Sequence, residues 1–141
     1  MAKIEADRAA TVQVVRHDDV ALEQFPGGAT YRTLVGDDAD ALSEEVRIGI
    51  QSSPPGYATP LHSHPYTEIL TVLEGEGVAW IEGGADEIAL APGMTVVLPA
   101  DLPHAFRATG TGPLVTYGLH VSPDRIVDIH DDSPPESAYP R

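Results

Sequence analysis

Short apolar stretches, each bounded by glycine or proline, follow one another along this chain, and none lengthens into a sustained 3.6-residue period. The stretches rich in Val, Ile, Leu and Thr predict strands at Thr11–Val15, Thr30–Val35, Glu45–Ser52, Glu68–Leu73, Val78–Glu82, Glu87–Leu90, Thr95–Leu98, His104–Ala108 and Leu114–Val121. Between them lie Gly75 and Gly77, Gly83-Gly84, Pro92-Gly93 and Gly110–Pro113, residues suited to the tight reversals of hairpins. Helical character is confined to single turns at Asp38–Leu42 and around Asp124–Ile129. Ile69–Leu73 and Thr95–Leu98 are apolar on both faces, which points to a closed barrel or a two-sheet sandwich rather than an open sheet with one wet face. The expected fold class is all-β.

Composition narrows the function. The 141 residues carry 8 Lys+Arg against 22 Asp+Glu, a formal charge of −14, and the only lysine is Lys3. With no basic face to neutralise phosphates, and a charge repelled by anionic lipid, neither nucleic acid nor a membrane is expected as a partner. The acidic N-terminal residues lack the apolar stretch of a signal peptide, so a cytoplasmic protein is expected. The absence of cysteine excludes disulfides, thiolate nucleophiles and Cys-ligated metal, leaving imidazole and carboxylate as the ligands for any ion.

Such ligands are concentrated in one stretch: Gly56, five residues, His62, one residue, His64, three residues, Glu68, six residues, Gly75. On an extended chain His62, His64 and Glu68 share parity and face one side of a sheet, with Pro65 allowing adjustment between them. A second stretch runs from Gly93 through Pro99 and Asp101 to His104, which opens a later strand. Three imidazoles and a carboxylate suit Fe, Mn, Ni, Co or Zn and leave positions open for substrate.

The two stretches resemble the paired motifs of the cupin superfamily, specifically its small single-domain members. Gly56, His62, His64, Glu68 and Gly75 match the first motif throughout; Gly93, Pro99 and His104 match the second, where Asp101 replaces a glycine and Ala108 an asparagine. The resemblance covers about Arg47–Val121. It implies a double-stranded β-helix, a jelly roll of two antiparallel sheets, with one divalent transition metal held by His62, His64, Glu68 and His104. Asp tolerates left-handed backbone, so Asp101 can take the place of the turn glycine.

His120 shares a strand face with Leu114 and Thr116, and is open to three roles: fifth ligand, proton shuttle, or a barrel-mouth histidine bonded to backbone. Tyr66 adjoins the ligands, and Phe106 shares a strand face with His104 and is the expected pocket residue. The candidate catalytic residues are Glu68, His120 and Tyr66. The expected architecture is an N-terminal segment (1–40) packing on the barrel or a partner subunit, the barrel itself (41–122), and a C-terminal turn and mobile tail (123–141).

Three functions fit. A redox-active ion would make the protein dioxygenase-like, resembling the quercetinase-like cupins, with Glu68 detaching to act as a base. A Lewis-acid ion working with His120 or Tyr66 would make it a lyase, isomerase or cyclase. A free-standing binder of a small ligand needs neither. The oxygenase is the leading expectation. Cupin lyases acting on dimethylsulfoniopropionate carry a tyrosine two residues after the motif glutamate, where this chain has Leu70, which argues against that activity. A homodimer paired through the N-terminal strands is expected, and anionic substrates are disfavoured unless Arg47 or Arg107 faces the pocket.

Overall fold

A computed structural model describes residues 13–131, apart from 37, 40, 42, 44 and 83–86. Among the described residues, eleven strands form two antiparallel sheets. In chain order they are β1 (Glu23–Gln24), β2 (Thr30–Val35), β3 (Arg47–Ser53), β4 (Leu61–Ser63), β5 (Glu68–Glu74), β6 (Gly77–Ile81), β7 (Ile88–Leu90), β8 (Thr95–Leu98), β9 (His104–Ala108), β10 (Leu114–His120) and β11 (Asp128–Asp131). One sheet has the order β1-β2-β3-β10-β5-β8 and the other β11-β4-β9-β6-β7, the jelly-roll arrangement expected.

Strand alternation divides the interior into two ends. On β10, Leu114, Thr116 and His120 are buried; on the antiparallel β5, Glu68, Leu70 and Val72 turn inward. Leu114 and Val72, with Ala79, Leu90 and Ala108, fill one end as an apolar plug. His120 and Glu68 are register partners at the other end. Between them Gly118 and Gly49 are paired across β10 and β3. Gly49 is required: a Cβ there would lie 1.9 Å from the Tyr31 hydroxyl, so a side chain would push that ring out of the barrel.

Three local expectations change. Residues 13–15 of the first expected strand are not in a sheet, and Thr11 and Val12 lie outside the described residues. The segment Asp124–Ile129 is not a helical turn: β11 pairs with β4, because alternating Val127 and Ile129 place apolar side chains along the cavity. Of the turn at Asp38–Leu42, Asp40 and Leu42 lie outside the described residues, as does the tail from Asp132. Asp101 has φ 64°, the left-handed conformation expected where a glycine would otherwise stand, and is the one non-glycine residue with positive φ among those described.

Candidate metal centre

The centre is assembled from two cross-strand pairs and one loop residue. His62 on β4 is the register partner of His104 on β9, and their ring centres are 4.5 Å apart. Glu68 and His120 pair in the opposite sheet. His64 follows β4 directly. Shared parity on one sheet is therefore not what unites His62, His64 and Glu68. The chain leaves β4 at Ser63, turns through Pro65 and Tyr66, and enters the other sheet at Glu68, so the carboxylate meets the imidazoles from across the barrel.

The nitrogens of His62, His64 and His104 lie within 4.8 Å of one another, as do the ligand atoms of His64, Glu68 and His120. Glu68 Oε1 is 3.1 Å from His64 Nε2 and 3.5 Å from His104 Nε2, while Oε2 is 3.3 Å from His120 Nε2. Backbone carbonyls orient three of the rings. Nδ1–H of His62 donates to the Pro60 carbonyl at 2.7 Å, that of His64 to Ile126 at 2.7 Å, and that of His104 to Leu102 at 2.9 Å. A carbonyl only accepts, so each Nδ1 carries the hydrogen and each Nε2 presents a lone pair to the centre. His104 Nε2 is buried without a hydrogen-bond partner. An orphaned lone pair inside the cluster, with three tautomers already set for ligation, fits a divalent cation.

The protonation balance shows what the cluster does without one. Burial pushes His62 down to about 4, helped by neighbouring His104. Burial also works against charge on His64, but Glu68 and the Ile126 carbonyl outweigh it and raise its pKa. Burial alone would raise the Glu68 carboxyl, yet the imidazoles of His104, His120 and His64 hold it well below the usual carboxylate range. Glu68 is an anion that needs cations around it.

Tyr66 completes the arrangement. Its ring stacks on His64 with centres 5.0 Å apart and planes 15° from parallel. Its hydroxyl is 2.9 Å from His120 Nδ1, accepts from Ile126 N–H at 3.2 Å and lies 3.3 Å from the Ile126 carbonyl. His120 thus has a hydroxyl at one nitrogen and Glu68 at the other.

A cavity of about 210 Å³ opens onto the cluster, and its walls include Tyr31, Tyr57, Leu70, Phe106 and Val127. Phe106 faces it, as strand alternation from His104 indicates. Neither arginine singled out from the sequence lines it. Arg47 is 1 % exposed and bonded to Asp38 and Thr33, and Arg107 pairs with Glu87 at 3.9 Å. The lining arginine is Arg125, which lies in a loop without periodicity and carries no signal in the sequence. Tyr31 was legible in principle, as a large aromatic residue within the expected strand Thr30–Val35.

Residues 49–121 match the family model described as a cupin domain. The chain belongs to the cupin family. Among curated cupin relatives it is 28% identical over 91 residues to auxin-binding protein T92 of Nicotiana tabacum, covering 59% of this chain and 48% of that protein. It is 30% identical over 93 residues to the dimethylsulfoniopropionate lyase DddW of Ruegeria pomeroyi, covering 66% and 59% respectively. The cupin chain spans about half the length of the curated relatives it matches. Among solved structures, the polyketide cyclase RemF of Streptomyces resistomycificus superposes with a TM-score of 0.73 at 21% identity, over 92% of this chain and 91% of that one, a likeness of fold. Among the described residues of this cupin, no helix is long and apolar enough to cross a membrane.

Proposed function

We propose that this cupin is a metal-dependent enzyme that moves a proton on a small organic substrate without oxidising it, as a lyase or cyclase does. The observation that carries this reading is the Tyr66–His120–Glu68 chain of contacts, at 2.9 and 3.3 Å, beside the ligand cluster. An ion held by His62, His64, His104 and Glu68 would polarise a carbonyl oxygen and take up the negative charge developing on it. The protein's own part is the proton. His120 Nε2 accepts it from carbon, the electron pair of the broken C–H bond moving toward the carbonyl, and holds it until it is returned to carbon or to a leaving group, while His120 Nδ1–H stays donated to the Tyr66 hydroxyl. Ile126 holds that hydroxyl through both its N–H and its carbonyl, so the His120 imidazole is oriented before substrate arrives. Apolar walls around the cavity limit competing water.

Relatives named as a dimethylsulfoniopropionate lyase and a polyketide cyclase support non-redox chemistry over the dioxygenase expected first. Leu70 still stands where the sulfonium lyases carry a tyrosine, so a different substrate is proposed. The test is solvent-deuterium exchange at carbon in a panel of enolisable carbonyl compounds, followed by NMR under argon. Exchange should require metal and fall by about 10²–10⁴-fold in His120→Gln, the usual contribution of a positioned proton-transfer group, and by less in Tyr66→Phe, which removes only the hydroxyl that orients the ring. Turnover only with oxygen consumption would restore the dioxygenase reading.

We also propose a homodimer. On the outer face of the six-stranded sheet, Val35, Ile48, Leu119, Ile69 and Val97 form one cross-strand row, ending on edge strand β8 where Val97 is 60% exposed. A second copy would cover both the row and the edge.

A further inference from the structure

Arg125 is the one guanidinium or ammonium group lining the metal-centre cavity among the described residues. Its charge lies 4.7 Å from the centre of the Tyr31 ring and 5.3 Å from that of Phe25, two rings stacked on each other at 5.3 Å. Nη1 and Nη2 donate to the two carboxylate oxygens of Glu23 at 3.1 and 3.3 Å. The guanidinium thus sits over aromatic rings, with its donor fork directed at a planar carboxylate. That carboxylate is weakly held. Glu23 is 47% exposed and Arg125 28%, so water reaches the pair and screens its attraction. Glu23 therefore occupies Arg125 in the bidentate geometry that an incoming oxyanion would adopt, and an oxyanion can replace it at little cost.

The rest of the cavity limits what carries that oxyanion. Tyr31, Tyr57 and Phe106 offer aromatic surface, and Leu70 and Val127 aliphatic surface. A volume of about 210 Å³ is below the roughly 300–1,000 Å³ of sites for drug-sized ligands, a size that matches a single ring. No second cation competes, because Arg47 is committed to Asp38 and Thr33 and Arg107 to Glu87.

We propose that Arg125 determines specificity by receiving the carboxylate of a small, single-ring aromatic acid, displacing Glu23, with the ring between the aromatic walls and the reacting end toward the histidines. This rests on the cavity being the substrate site of the function proposed above. It also changes the expectation drawn from net charge: an acid is accepted through Arg125, in a protein of charge −14.

Benzoate and benzamide, equal in shape and different in charge, are the probes. Both are titrated by calorimetry into the full chain as purified, and again after chelation so that binding through an ion is recognised. Benzoate should bind about tenfold or more tightly than benzamide, before and after chelation. Arg125→Gln should abolish that preference. Glu23→Gln, which frees the guanidinium, should tighten benzoate several-fold and leave benzamide unchanged. Equal affinities, no detectable benzoate binding, a preference lost on chelation, or one that survives Arg125→Gln after chelation would each overturn the proposal. None of these readings needs turnover. Arg125-dependent benzoate binding without deuterium exchange sinks the proton-transfer reading alone; exchange with equal probe affinities sinks the Arg125 proposal alone.

Discussion

A histidine is oriented for ligation when its far nitrogen donates to a fixed acceptor. In this protein the carbonyls of Pro60, Ile126 and Leu102 are those acceptors for His62, His64 and His104, and the three Nε2 lone pairs are then brought together with Glu68. The protonation balance of the cluster makes stability depend on pH. His62 titrates near 4 when folded against about 6.5 when unfolded, so the unfolded chain binds more protons across that window and stability falls as pH drops through it. The depressed Glu68 acts in the same direction: its contribution is present above its unfolded value and lost as pH falls through the folded one. His64 is raised, so its contribution is complete below about 6.5 and lost as pH climbs through its folded value. Thermal melts of the chelated protein across pH 4–9 should show their maximum near pH 6.5. A melting temperature that rises steadily from pH 6.5 to pH 9 would contradict the reading of His64.

At the scale of elements, strand β9 and the loop before it show how local geometry holds the centre. Asp101 N–H donates to the His64 carbonyl at 2.7 Å, so the left-handed turn at Asp101 fixes a candidate ligand as well as a reversal. Asp101→Gly should change stability by less than about 1 kcal/mol, whereas Asp101→Val should cost about 1–2 kcal/mol, because a β-branched residue is poorly accommodated at positive φ. Metal affinity should weaken in the valine variant and not in the glycine one, as a metal titration would show. Thr30–Val35, Thr95–Leu98 and His104–Ala108 were legible to the residue, because each lies between clear turn signals and has a buried face. β4 was not. It is three residues long and ends where the chain changes sheets, and no periodicity marks such a crossing. The resemblance to the paired cupin motifs names His62, His64, Glu68 and His104 as the candidate ligands, whereas the same crossing hides their approach from opposite sheets. β11 was hidden because Asp128 and Asp131 break the apolar pattern and the segment around Asp124–Ile129 reads as a helical turn, although Val127 and Ile129 line the cavity.

For the whole molecule, the division of the barrel interior into an apolar plug and a polar mouth separates stability from chemistry. Val72 and Leu114, 1% and 0% exposed, anchor the plug without touching the cluster, so loss of a ligand should leave the barrel folded. The outer apolar row belongs to the same scale: light scattering at micromolar concentration should give twice the chain mass of 14.9 kDa, and Val97→Lys at the edge should shift it toward the single chain. A wild-type monomer would remove that proposal and leave the centre untouched. The central claim is the ion itself, and elemental analysis of protein purified without an affinity tag tests it most directly. About one equivalent of a first-row transition metal per chain is expected, lost in a folded His104→Ala variant. A wild-type chain that contains no metal, and takes up none when Fe, Mn, Ni, Co and Zn are offered in turn, would contradict it.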